Sequence, residues 1–529
     1  MDIVFRGALV VDGTGAPGYR ADVGVRAGRI AAIDARLSGR REVDAGGLVL
    51  APGFVDMHSH SDLQVLANPE HLAKVSQGVT TEVLGQDGLS YAPVDDAVLA
   101  ALRGQLAGWN DDPEGFDWDW RSVGEYLDRL DRGVAVNAAY LVPQGTLRML
   151  CVGWDDRPAT DAELAAMKTV LAESLRQGAM GLSSGLTYTP GMYASERELV
   201  ELCRVTGEWG GYYSPHHRSY GAGALEAYAE MVAVTREADC PLHLAHATMN
   251  FEVNRGRAGE LLTLLDDAIA AGADITLDTY PYLPGATYLS ALLPSWSSEG
   301  GADATLRRLS DVDTRERIRR EVEDTGSDGC HGVPVDWAAI EINGVRRSEH
   351  AHLVGLSVAE SARRAGVAPA ELFFDVLTAE RLGTSCLMHV GHEDNVRAIM
   401  RHPAHTGGSD GLLVGDRPHP RAWGTFPRYL ARYVRELGVL SLEECVAHLT
   451  GRAARRLRLT DRGLVREGYA ADLVLFDPET VADTATFDEP RQAAAGIPYV
   501  VVNGVPVIDG GTRTDALPGR SLRNTGSHA

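Results

Sequence analysis

Short apolar runs, broken by glycine, proline and charged residues, recur along the whole chain, but their rhythm changes twice. At the start they are β-type stretches separated by glycines: Ile3–Val11, Asp22–Arg26, Arg29–Asp34 and Glu42–Ala45. The far end has the same texture. Ala471–Asp477 reads as a strand, and Tyr499–Val502 with Val505–Ile508 reads as a hairpin on the tight turn Asn503-Gly504. Two β-rich ends flanking a different middle predict one small β-sandwich domain built from residues 1–50 plus 460–529.

Between them the pattern alternates. Gly53–His60, Val79–Gly85, Val134–Val142, Met180–Ser184, Gly211–Ser214, Leu242–His246, Asp274–Asp278 and His405–Asp410 read as buried strands. Helical stretches fall between many of them, several opening on a capping box: Thr160 with Glu163, Ser195 with Glu198, Ser357 with Glu360. Strands alternating with helices predict an α/β fold, a (β/α)8 TIM-like barrel over residues 51–459. The interval 284–353 has a charged helical run (Asp311–Glu323) and no clear barrel strand, which predicts an inserted lid. One motif is discarded. Gly13-Thr14-Gly15-Ala16-Pro17-Gly18 matches G-x-G-x-x-G, but a strand follows it where a dinucleotide site needs a helix.

Composition narrows the function by exclusion. A net charge of −23 argues against nucleic acid or an anionic membrane surface as partner. No apolar run is long enough to span a bilayer, and Met1–Arg6 lacks the order of a secretion signal. The six cysteines are scattered without a Cys-x-x-Cys pair, which suits buried thiols in a reducing cytoplasm. None of this fixes an oligomeric state.

The chemistry gathers at the strand ends, where a barrel of this kind carries its site. His58 and His60 lie two apart, so on a strand both imidazoles point one way. Gln86-Asp87-Gly88 follows the second strand, His216-His217 ends the fifth, His246 the sixth and Asp410 the eighth. Each has a plain alternative: a surface histidine at 216 or 217, a satisfied core residue at 246, a turn at 410. Together, four imidazoles and two carboxylates suit one or two divalent ions with a position open for water.

These residues carry a family resemblance. Gly53-Phe54-Val55-Asp56-Met57-His58-Ser59-His60, Gly145-Thr146-Leu147-Arg148, Gly181–Leu186, Asp278-Thr279-Tyr280-Pro281-Tyr282, Gly408-Ser409-Asp410-Gly411 and Gly424–Arg428 resemble the N-acyl-D-amino-acid deacylases (D-aminoacylases) of the amidohydrolase superfamily. The resemblance implies a metal-dependent hydrolase of a linear amide, acting on a small acylated D-amino acid. It implies His58, His60, Asp87, His216, His246 and Asp410 as metal ligands, with Asp410 also the general acid and base. Tyr188, Tyr280 and Arg421 take the substrate-binding positions, Arg421 receiving its carboxylate. Zinc is the implied ion. Asp87 stands where the family has a cysteine ligand, and its hard oxygen admits manganese or iron. Gln144, Thr248 and Ala286 replace a histidine, a lysine and a serine of the family, changes expected to strip polar contacts from the pocket. A dipeptide with a C-terminal D residue, or a cyclic amide, fits the same machinery. So does a non-catalytic scaffold that kept the fold.

Overall fold

The computed structural model describes residues 1–526. Eight parallel strands follow one another in chain order: Phe54–Asp56, Val79–Leu84, Asn137–Pro143, Gly181–Gly185, Tyr212–His216, Leu242–Leu244, Ile275–Thr279 and His405–Gly407. A bridge between Ser59 and Gly411, with the Asp410 N–H donating to the His58 carbonyl at 2.8 Å, joins the last strand to the first. The ring is therefore a (β/α)8 barrel. Several strands are shorter than the apolar pattern predicts, because the backbone turns away once the side chains reach the mouth. His58, His60 and His246 stand just beyond the regular strands.

The strands of both termini join in one mixed nine-stranded sheet, in which Val49–Pro52 lies between Ile3–Val10 and Leu473–Phe476. Its core (Phe5, Val23, Ile30, Leu473, Val501) is separate from that of the barrel. The tail leaves this sheet. Gly519 and Leu522 donate backbone hydrogen bonds to Val134 and Ala138, so the chain's end runs along the third barrel strand.

Between the seventh and eighth barrel strands lies a layer with its own four-stranded sheet (Gly285–Tyr288, Ser385–Met388, Ile340–Gly344, Leu356–Ser357) and its own core around Leu292, Ile318, Ile342 and Phe373. One of its two inner strands, Ser385–Met388, lies beyond the interval 284–353 marked in the sequence. The helix caps divide in an instructive way. Thr160 and Glu163 form the full reciprocal box. Ser195 and Ser357 cap their helices one-sidedly, because Glu198 turns inward to Arg148 and Gln144, and Glu360 turns to Arg363 and Arg364. A reciprocal box the sequence reading passed over sits at Ser122 and Glu125.

Candidate metal centre

All six strand-end residues meet at the barrel mouth and all are buried. They form two groups that share one member: His58, His60, Asp87 and Asp410, and Asp87, His216 and His246. Asp87 lies between them with both oxygens engaged. Oδ1 is 3.4 Å from His58 Nε2 and 3.6 Å from His246 Nε2. Oδ2 is 3.5 Å from His60 Nε2 and 3.4 Å from His216 Nδ1. The remaining separations run from 3.0 to 3.7 Å: 3.3 Å for His58 to His60, 3.1 Å for His60 to Asp410, 3.7 Å for His58 to Asp410 and 3.0 Å for His216 to His246.

Those distances test the fit to a metal. Two donors each roughly 2.0–2.1 Å from one ion at a tetrahedral angle stand about 3.4 Å apart. Hydrogen bonding does not account for the whole cluster, since Asp87 Oδ1 and His58 Nδ1 are buried with no hydrogen-bond partner among the described residues. The donor set of imidazoles and carboxylates suits a borderline divalent cation.

The electrostatics follow from burial and crowding. Burial pushes Asp87 up, but His58, His216 and His246 outweigh it and hold the carboxyl well below its usual range. Burial likewise raises Asp410, and the Arg421 guanidinium, with His60, brings it down. Both carboxylates are thus anionic, as ligands must be. Burial lowers His58 and His60, yet the facing aspartates leave both above the ordinary imidazole value. Asp87, His246 and Asp410 also have φ of 54°, 31° and 49°, a left-handed backbone that a histidine rarely adopts. Strain of this kind persists where the surroundings over-determine it, and here it falls on the shared Asp87 and on one member of each group.

Second partners orient the ligands. Tyr220 Oη lies 3.1 Å from His246 Nδ1 and Thr187 Oγ1 2.7 Å from His216 Nε2. Asp278, given no role from the sequence, accepts hydrogen bonds from the His246 backbone N–H and the His243 ring, both at 3.0 Å, and lies 3.7 Å from His58 Nδ1. Below the site, the fully buried Lys74 donates to Asp56 at 2.6 Å and to Ser409 at 2.8 Å, tying the first strand to the eighth. The only sequence-level signal for Asp56 was its place two residues before His58, on the same face. His217 goes elsewhere. It packs between the rings of Tyr220 and Tyr228, and burial drives its basicity far down.

Tyr188 and Tyr280 line the cavity above the cluster, as do Thr248 and Ala286. Arg421 stands behind that wall. Its Nη2 is 2.9 Å from Asp410 Oδ2, its guanidinium lies 4.5 Å over the Tyr280 ring, and its Nε and Nη1 have no hydrogen-bond partner among the described residues. Gln144 does not reach the cavity. It belongs to a buried network with Glu198 and Arg148, a support of the site and not part of the pocket lining.

A closed parallel barrel with paired histidines on its first strand, and further ligands on its second, fifth, sixth and eighth, defines a class of metal-dependent hydrolases. The family model described as "Amidohydrolase family" matches residues 41–508, and the chain belongs to this family. Within it the chain stands with the D-aminoacylases. It is 37% identical over 99% of its length to 98% of a D-aminoacylase from Alcaligenes xylosoxydans xylosoxydans. A crystal structure of N-acyl-D-glutamate deacylase from Bordetella bronchiseptica, complexed with zinc and a phosphonate mimic of the tetrahedral intermediate, superposes with a TM-score of 0.85 at 34% identity, covering 99% of each chain. A D-aminoacylase structure concerned with a binuclear metal centre gives 0.83 at 35% identity, again over 99% of each.

Proposed function

We propose that this protein hydrolyses N-acyl-D-amino acids to a carboxylic acid and a D-amino acid. The observation that carries the reading is Asp87 shared between two ligand groups, with Asp410 and Arg421 paired at the edge of one of them. Preference for the D series rests on the similarity to D-aminoacylase. His58, His60, Asp87 and Asp410 would hold one ion and Asp87, His216 and His246 another, zinc first, with manganese or iron admitted by the oxygen ligand at position 87. A divalent ion bound there supplies Lewis acidity and a coordinated water that ionises near neutral pH.

The chain's own residues do the rest. Asp410, already anionic, takes a proton from the attacking water and passes it to the leaving nitrogen. Arg421 fixes Asp410 through Nη2 and leaves Nε and Nη1 for the substrate carboxylate, with Tyr280 stacked on the guanidinium. Burial excludes water and strengthens each of these contacts. The wall formed by Phe251, Leu292, Met388 and Val390, with Thr248 beside it, fits an apolar amino-acid side chain. His331, at the cavity's far side, is pushed down by burial to about 3 and offers no charge to an acidic one. The inserted layer roofs this cavity through Leu292, Gly329 and His331, the position of a lid. Cytoplasmic residence accords with the unpaired thiols, five of six of them buried.

The test is amine release from matched N-acyl-D- and N-acyl-L-leucine by zinc-loaded protein, with Asp410→Asn as control. Turnover confined to the D series is expected, falling roughly 10²–10⁴-fold in the variant. Turnover of neither series, or near-normal rates for Asp410→Asn, would refute the assignment.

A further inference from the structure

Two cavities lie on either side of Tyr188. The smaller, about 80 Å³, lies directly over the ligand cluster. The larger, about 450 Å³, opens beside it, and the two share Thr187, Tyr188 and Ala291 as a common wall. The partition is aromatic. The Tyr188 and Tyr288 rings are 5.1 Å apart, and Trp109 stands 5.4 and 5.2 Å from them. The Tyr188 and Thr287 hydroxyls share a hydrogen bond of 3.0 Å at this partition, and the buried Trp109 N–H has no partner among the described residues.

We infer that the larger cavity receives the acyl group, and that the preferred substrates carry linear medium-chain acyl groups on the D-amino acid. The inference rests on the deacylase reading above. Its geometric ground is the order of the barrel. Asp410 and Arg421 follow the eighth strand, whereas Tyr188 follows the fourth, diametrically across a ring of eight. A substrate whose carboxylate goes to Arg421 and whose amide lies over the ligands must direct its acyl carbon chain toward Tyr188. The amino-acid side chain has its own wall around Phe251 and Val390, on the sixth-strand side.

Size agrees. The cavity over the ligand cluster takes the amide and the amino-acid side chain and leaves little room for a long acyl chain. The outer one falls within the roughly 300–1,000 Å³ of sites that enclose small molecules. Its lining is mixed: Met192, Leu293 and Leu306 offer apolar surface, Thr189, Ser290 and Ser298 hydroxyls, and the Asp303–Arg381 ion pair marks its outer rim. Hydrolysis of such a substrate breaks the same acyl C–N bond. The water oxygen joins the acyl carbon and its protons leave with the amine and the acid.

The experiment compares kcat/KM of the zinc-loaded full chain on N-acetyl-, N-hexanoyl- and N-octanoyl-D-leucine. Each methylene fully buried in the chamber contributes about fourfold, so three of octanoyl's six extra methylenes buried there should raise kcat/KM roughly sixtyfold over acetyl. Gly104→Phe adds a ring at the exposed edge of the chamber, on a helix where an added Cβ meets nothing within 4 Å. Its octanoyl-to-acetyl ratio should fall at least tenfold, with Gly104→Ala keeping the wild-type ratio. A flat or falling series in the wild type, with acetyl turned over, overturns the acyl assignment alone; so does a Gly104→Phe ratio equal to wild type. No turnover of any member overturns the deacylase reading and this inference with it.

Discussion

Asp87→Asn is the sharpest probe of the metal centre, because Asp87 is the one residue common to both ligand groups. The substitution keeps the shape of the side chain and removes its charge. What remains is His58, His60 and Asp410 on one side and only His216 with His246 on the other. A pair of imidazoles falls short of the three protein ligands a catalytic zinc site uses, and the group around His58 drops from two carboxylates to one. Partners that merely orient ligands already change metal affinity by about 10–100-fold. Loss of a shared ligand should therefore weaken zinc binding by at least about 100-fold, a change of roughly 2.7 kcal/mol. The assay is zinc content after dialysis against a graded chelator, read alongside amidase activity in the same samples. Asp87→Cys should recover zinc retention while losing activation by manganese at least about tenfold, since a thiolate disfavours the harder ion. Zinc retention in Asp87→Asn equal to wild type would refute the shared-ligand argument.

Two further perturbations separate support from chemistry. Asp278→Asn leaves the ligands in place but weakens the acceptor that the His243 ring and the His246 backbone share; the zinc dissociation constant should rise about 10–100-fold while kcat at saturating zinc changes far less, and a loss of kcat with unchanged zinc affinity would assign Asp278 to the reaction itself. His405, buried at the start of the eighth strand against His448 at 2.9 Å, is lowered from 6.5 to about 3, chiefly by burial. Its folded value lies below its unfolded one, so its effect on stability is nil above about pH 6.5 and becomes destabilising as pH falls toward 3, at about 1.4 kcal/mol per unit. Between pH 7 and 5 His405→Gln should thus lose about 2 kcal/mol less than wild type in chemical denaturation, and identical losses would contradict the burial argument.

What the sequence revealed and what it hid divide along one physical line. Strand periodicity is local, so His58 and His60 could be seen to share a face, and each remaining ligand could be found by asking which polar residue ends an apolar run. The barrel then makes those ends converge, which is why six residues spread from 58 to 410 fall within one cluster. Contacts created by ring closure are invisible to that reasoning. Asp56 meets Ser409 across 353 residues only because the eighth strand lies against the first, and Lys74 enters the same seam from a helix with no chemical signature. Gln144 failed in the opposite sense: its place beside a family motif suggested the pocket, but the turn of Glu198 toward Arg148 draws it into the scaffold. The same logic bears on the expectation that the family carries a thiolate where this chain has Asp87. Four imidazoles fix its position from both sides, and a carboxylate has two oxygens where a thiolate has one sulfur. A carboxylate at position 87 thus offers two ends, and the spacing of the two histidine pairs on either side of it suits such a shared position.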